Sequence, residues 1–445
     1  MLWTKDTPTA DVVIRGARVL DPAEGIDATL DVRIDGGTIT AIGAAVDTNG
    51  HRVIDGERLL LAPAFVDPHV HLRTPGREDE ETIASGTAAA AAGGYCAILA
   101  MPNTDPVVDS ASVLRSLAET AALEAEVPVG FLAAISKGSE GGELSEMGEL
   151  AECGAVGFSD DGRPVAAAGL MRRALQYSAI TGRPLALHCE ETTLSRDGQM
   201  HEGAVSAELG FAGYPSVAES VMVERDLALA AYESLSLHLL HLSAVESVEA
   251  LARAQSAGLP VTGEVTPHHL CLTDEAVRGG HAGPGLLDTN MKMNPPLRSE
   301  ADRQALIDGL RSGVIDCIAT DHAPHARDEK ESPFEQAPMG TTGLETAFAA
   351  VHTELVVPGI LPLALVVDRM TAGAALLDLP VPRIEAGAPA NLTLVDLAAE
   401  WEVGEDGYES RSENCCFAGR RLRGRVLLTV AGGSIAYRER ALVAA

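Results

Sequence analysis

Eight times between residues 64 and 319, a short apolar run gives way to an alanine- and leucine-rich stretch of helical character. The runs are 64–71, 95–101, 127–135, 155–158, 184–188, 235–242, 260–265 and 314–319. Such alternation marks βα units around a parallel sheet, so the fold class is α/β. Eight units favour a closed (β/α)8 TIM barrel over an open doubly wound sheet. No glycine-rich phosphate loop follows the first run, which argues against a dinucleotide-binding fold.

The two ends of the chain read differently. Residues 11–15, 31–34 and 38–42 alternate as short strands with Gly36-Gly37 between the last two, and 425–430 and 434–437 repeat the pattern around Gly432-Gly433. DGGTI near the start is matched by AGGSI near the end. Ends that share strand chemistry are expected to pair into one small β-sandwich domain, with residues 1–62 and 386–445 as its two parts. Residues 63–385 are then an inserted barrel, within the roughly 250–330 residues that such a barrel occupies.

The formal net charge is -31, and only Lys5, Lys137, Lys292 and Lys330 are lysines. A field of that sign excludes nucleic acid as a partner and repels anionic substrates, so any anion site must be built locally from arginine, histidine and backbone N–H groups. The 7 cysteines include no CxxC pair, which points to a reducing cytoplasm rather than to disulfides or a thiolate metal site. Neither a signal-peptide core nor a run of 18 apolar residues occurs, so secretion and membrane spanning are not expected.

Most of the apolar runs end in histidine, aspartate or asparagine, and in a barrel such strand ends converge on one mouth. FVDPHVHLR places His69 and His71 on the same side of a strand, where two imidazoles at i and i+2 can share a metal. The fourth run leads into GFSDDG, with Asp160 and Asp161; the fifth ends at His188, beside Glu190. In the sixth, His238 and His241 face opposite ways, and His241, nearer the end, is the candidate ligand while His238 is structural. EVTPHHL offers Glu264, His268 and His269, which are not expected to touch a metal, and ATDHAPH offers Asp321, His322 and His325. Imidazole and carboxylate ligands without thiolates suit a catalytic Zn2+ site. Four histidines and two aspartates suffice for two ions, which together could keep a hydroxide deprotonated near neutral pH.

HVHLR, MPNT, FSDDG, the histidines at 188 and 241, EVTPHH, MNPPLR and ATDHAPH together resemble the dihydroorotases of the bacterial barrel type, within the amidohydrolase superfamily. The resemblance covers the whole chain. It implies that His69, His71 and Asp321 hold one Zn2+, that His188 and His241 hold a second, and that Asp161 bridges them, with Asp160 the alternative bridge. Many superfamily members bridge with a carbamylated lysine after strand four; here the nearest lysine, Lys137, follows strand three. The stretch LRTPG departs from the glutamate that many relatives carry before the proline, leaving Thr74 without charge.

The same resemblance implies reversible hydrolysis of dihydroorotate to N-carbamoyl-L-aspartate in pyrimidine biosynthesis, with Asp321 as the catalytic proton shuttle. Arg73 would take the ring carboxylate, for which a guanidinium fork is suited. Asn103, Asn294, His325 and the backbone near Met339 and Gly340 would supply further substrate contacts. The polar segment 327–340 is expected to be a mobile lid or a solvated loop. A homodimer and association with aspartate transcarbamoylase are compatible with the resemblance. Rival readings are an allantoinase or hydantoinase acting on a neutral cyclic ureide, and a catalytically silent scaffold.

Overall fold

The structure is a computed structural model of the chain and describes residues 1–279, 287–377, 379–439 and 442. The expected C-terminal part, 386–445, therefore includes positions 440, 441 and 443–445 that lie outside the described residues.

Solid apolar runs form parallel strands buried on both faces, as Phe65–Val70 and Tyr95–Ala100 are along their whole length. Strands covered on both sides have no solvent face and hence no polar alternation. Pairing passes from Phe65–Val70 to Tyr95–Ala100 to Val129–Phe131, and separately from Ala186–Leu187 to Leu237–Leu239 to Val261–Val265 to Cys317–Ile318. Single parallel bridges join these groups, Ala133 to Phe158 and Phe158 to Leu185 on one side and Val70 to His322 on the other. The pairing thus returns to its first strand through every one of the predicted runs. Run 155–158 contributes only the bridges at Phe158, and run 314–319 shortens to Cys317–Ile318.

Helices between the strands turn their apolar faces inward. The Val217–Glu233 helix buries Ala218, Met222, Val223, Leu227 and Ala230. Thr82 caps the Ile83–Ala92 helix by accepting from the Ser85 N–H, and Ser299 caps Glu300–Ser312 through the Asp302 N–H. Each cap contributes about 1 kcal/mol. Among the described residues no helix is long and apolar enough to cross a membrane.

Both chain ends enter one eight-stranded sheet. Its order is Ser434–Arg438, Arg421–Ala431, Leu392–Glu402, Leu60–Pro63, Val12–Asp21, Ile26–Asp35 and Thr38–Gly43, with Arg52–Asp55 also paired to Val12–Asp21. The expected strands are present and longer than anticipated. Three others were not anticipated: Arg52–Asp55, Leu60–Pro63 and Leu392–Glu402, and the last two join the ends by pairing antiparallel to each other. Ile14, Ile34, Ile39, Leu61, Leu394 and Val430 share a buried cluster of their own. The two echoing glycine turns meet there. Gly37 and Gly433 have φ of +78° and +84°, and a Cβ on either would lie 2.8 or 2.7 Å from the other's carbonyl oxygen, so only glycine permits this approach.

Segment 327–340 is fastened from inside by two lysines, while Arg327, Asp328, Glu331, Pro333, Glu335 and Gln336 are exposed. It opens with the Arg327–Lys330 helix, and Lys330 and Phe334 are buried. Lys292 Nζ donates to the carbonyls of Phe334, Glu335 and Ala337 at 2.6, 3.2 and 2.8 Å. Lys330 Nζ donates to those of Pro338 and Gly340, each at 3.0 Å. Burial, with Lys292 nearby, lowers the Lys330 ammonium to about 7. The lysines satisfy backbone carbonyls that no strand or helix reaches.

Candidate metal and substrate site

At the C-terminal ends of the parallel strands, six side chains from separate parts of the chain meet: His69, His71, Asp161, His188, His241 and Asp321, all buried. Asp321 Oδ1 lies 3.0 Å from His71 Nε2 and 3.4 Å from His69 Nε2. Asp161 reaches the others with both oxygens. Its Oδ2 is 3.4 Å from His71 Nε2 and 3.7 Å from His69 Nε2, while its Oδ1 is 3.5 Å from both His188 Nδ1 and His241 Nε2.

The far nitrogens of three rings are already committed, and that sets which nitrogen faces the centre. His69 Nδ1 donates to Glu264 Oε1 at 2.6 Å, His71 Nδ1 to Asn103 Oδ1 at 2.8 Å, and His188 Nε2 to Glu190 Oε2 at 2.9 Å. A carboxylate or amide oxygen can only accept, so each opposite nitrogen is the one free to bind a cation. His188 Nδ1 and His241 Nε2 face each other at 2.8 Å.

Electrostatics and unmet hydrogen bonds agree with a cation between these groups. Burial raises the Asp161 carboxyl, but His69, His188 and His241 outweigh it and hold the group well below the usual carboxylate range. Asp321 is likewise lowered by His69 and His71 against its burial. Burial lowers His188, yet Asp161 and Glu190 carry it up to about 10. Carboxylates that must keep imidazoles charged are carboxylates short of a cation. His69 Nε2 and Asp161 Oδ1 are also buried without a hydrogen-bond partner, as metal-ligand atoms would be. The triads His69, His71, Asp321 and His69, Asp161, His241 each have donor atoms within 4.8 Å of one another. The donor set fits divalent ions of the zinc type.

The neighbouring aspartate does something else. Asp160 Oδ1 accepts from the Ile135 and Ser136 N–H groups at 2.8 and 3.1 Å, and its Oδ2 takes the Ser136 hydroxyl. Asp67 ties the first strand to the last by accepting from the Thr320 backbone and hydroxyl, the latter at 2.6 Å. Lys137 is exposed beside Glu143 and takes no part.

Candidate substrate residues surround the same mouth. Arg73 Nε donates to the Pro324 carbonyl at 3.0 Å, and His325 Nε2 faces the Met339 carbonyl at 2.9 Å. Gly340, at φ +147°, packs so that a Cβ would lie 2.8 Å from His325 Nε2. Asn294 Nδ2 donates to Glu190 Oε2 at 3.0 Å, leaving its buried Oδ1 without a partner. Asn103 is occupied with His71, and its Nδ2 lies 3.5 Å from Asp161. Arg73, His241 and Asp321 have φ of 55°, 30° and 48°, a region costly for non-glycine residues by about 1–3 kcal/mol each. Such strain persists where surrounding structure enforces a functional geometry.

Glu190 and Glu80 carried no expected role, whereas Glu264, expected to support the ligands or fix the loop without touching a metal, does so. Glu264 lies beneath the site, accepting from His69 Nδ1, from His238 Nε2 at 2.9 Å and from the His241 backbone at 3.2 Å. A carboxylate inside an otherwise apolar strand was the available signal. Glu264→Gln is expected to weaken metal binding about 10- to 100-fold, since an amide cannot accept from both imidazoles on two charged oxygens. Chelator competition measures this, and affinity unchanged from wild type would remove the orienting role.

A sequence profile of the dihydro-orotase-like family matches residues 57–247. A dihydroorotase of Pelotomaculum thermopropionicum is 45% identical over 432 residues, 97% of this chain and 99% of that one. A dihydroorotase of Anaeromyxobacter dehalogenans strain 2CP-C is 46% identical over 431 residues, 96% and 98% of the two chains. Among solved structures, the L-hydantoinase (dihydropyrimidinase) of Arthrobacter aurescens superposes with a TM-score of 0.85 at 25% identity, covering 98% of this chain and 97% of that one. The dihydropyrimidinase of Brevibacillus agri NCHU1002 shares the fold, with a TM-score of 0.83 at 22% identity over 98% and 96% of the two chains. With close to half of its residues shared along nearly the full length of such relatives, the chain belongs to the dihydroorotase family.

Proposed function

We propose that the chain catalyses the reversible hydrolysis of (S)-dihydroorotate to N-carbamoyl-L-aspartate in pyrimidine biosynthesis, using two Zn2+ ions. Residues 63–385 form a (β/α)8 barrel, and 1–62 with 386–445 a small β-sandwich beside it. The observation that carries the reading is the convergence of four imidazoles and two carboxylates, three of the rings being aimed by committed far nitrogens. His69, His71 and Asp321 would hold one ion, His188 and His241 the other, and Asp161 would touch both. Bound there, the ions would polarise the scissile carbonyl and make water nucleophilic near neutral pH.

The residues supply the rest of the chemistry. Arg73 takes the ring carboxylate, Asn103, Asn294 and His325 supply further contacts, and the backbone at Met339 and Gly340 touches the ring. Water adds to the ring carbonyl carbon and the C–N bond breaks. Asp321 takes a proton from the water and returns it to the departing nitrogen, and the reverse sequence closes the ring. All 7 cysteines are free thiols, which suits a cytoplasmic enzyme.

An acidic substrate is favoured over a neutral cyclic ureide because the Arg73 guanidinium is largely buried beside His325, 3.5 Å away. Identity to the dihydroorotases is also well above that to the hydantoinase. The purified protein is expected to bind about two zinc ions per chain and to interconvert dihydroorotate and N-carbamoyl-L-aspartate, with activity lost on chelation and restored by zinc. Preferred turnover of allantoin, hydantoin or dihydrouracil would refute the substrate assignment, and a zinc-loaded protein inert in both directions would refute the enzyme.

A further inference from the structure

Glu80 lies in the run REDEE, residues 77–81, which reads as a solvated stretch of charge, yet it is only 2% exposed. Its Oε2 is paired with Arg73 Nε at 3.2 Å, and its Oε1 accepts from His325 Nδ1 at 3.0 Å and is paired with Arg77 Nη2 at 3.0 Å. Arg77 in turn donates to Glu329 at 2.7 Å, and Glu329 accepts from the Ala326 N–H at 3.2 Å. One buried carboxylate therefore reaches two groups far apart in the sequence, one following the first strand and one following the last, which lie side by side where the pairing returns on itself. Thr74, next to Arg73, brings no charge to this loop; Glu80 is the carboxylate that reaches the guanidinium.

We propose that Glu80 is a positioning residue that sets the substrate's carboxylate grip, holding Arg73 and His325 in one orientation and tying both to the Arg327–Lys330 helix through Arg77 and Glu329. Without it, Arg73 Nη2 and His325 Nε2, 3.5 Å apart, lose the one carboxylate that both side chains reach. Glu80 and the Pro324 carbonyl share the Nε side of the guanidinium, and Nη2 is left beside His325. A glutamine keeps one acceptor for His325 but removes the charge facing Arg73, and an alanine removes both. Glu80 touches neither substrate nor the reacting atoms, so its loss acts on binding of the ring carboxylate and spares the chemical step.

The inference rests on the dihydroorotate reading, and two measurements on zinc-loaded protein separate their fates. Glu80→Ala is expected to raise KM for dihydroorotate and for N-carbamoyl-L-aspartate about 10- to 100-fold with kcat within about threefold, and Glu80→Gln to fall between that variant and wild type. Binding of orotate, a planar ring carboxylate that is not hydrolysed, should weaken by a similar factor in calorimetry, and zinc content should not change. Wild-type protein without turnover would sink the substrate reading alone. Orotate binding or KM unchanged in a folded variant would overturn the role of Glu80, as would a fall in kcat at constant KM. Should Glu80→Ala not fold, Glu80→Gln decides by the same readings.

Discussion

Asp321→Asn is expected to lower kcat in both directions by about 10²–10⁴-fold while bound zinc stays in place. Asparagine keeps the size of the side chain and a carbonyl oxygen that can remain against a cation, so the cage around His69 and His71 need not open. It cannot accept and return a proton, and that is the work assigned to Asp321 in ring opening. Asp321 sits at φ 48°, next to a strand pairing in which the His71 N–H is bonded to the His322 carbonyl at 2.8 Å. Metal analysis beside steady-state kinetics decides the matter. If zinc is lost along with activity, Asp321 is needed as a ligand and the proton role is unproven; if kcat stays within tenfold of wild type with zinc bound, another group moves the proton.

How much of this was legible in the sequence follows from which interactions are local. Strand runs and their polar ends were readable because burial on both faces imposes a solid apolar pattern, and 95–101 and 260–265 nearly coincide with Tyr95–Ala100 and Val261–Val265. Leu392–Glu402 was not, since its Leu-Ala-Ala-Glu stretch carries no strand alternation and it pairs with Leu60–Pro63, more than three hundred residues away. The six converging residues were readable because they lie at the ends of five of the runs, His69 and His71 sharing the first. Glu80 was not, because nothing in a charged pentapeptide tells that His325 and Arg73 will close over it. Within segment 327–340, Lys330 was not legible for the same reason: it looks solvated by composition, while in the fold it is spent on backbone carbonyls. Likewise, no pattern in a sequence says that Arg73, His241 and Asp321 will adopt positive φ.

The adjacent aspartates provide the other large effect, because two residues of one chemistry are expected to fail in opposite ways. Asp161→Ala removes the one carboxylate whose oxygens face all four imidazoles, at 3.4–3.7 Å from them. Stabilisation of transition-state charge by bound metal is worth several kcal/mol, so losing the bridge should cost about three orders of magnitude in activity, with zinc reduced to one ion or fewer. The folded protein should survive. Among the described residues Asp161 accepts no backbone N–H, and its removal relieves a buried charge whose counter-charges are imidazoles. Asp160→Ala reverses the pattern. The Ile135 and Ser136 N–H groups and the Ser136 hydroxyl would lose their acceptor in the interior, at about 1–3 kcal/mol for each buried group left unsatisfied. Stability should drop by several kcal/mol, read as a lower Tm, while any folded fraction binds zinc in full. Zinc stoichiometry and thermal melts on the two variants separate these roles, and a zinc-deficient Asp160→Ala beside a zinc-replete Asp161→Ala would transfer the bridge to Asp160.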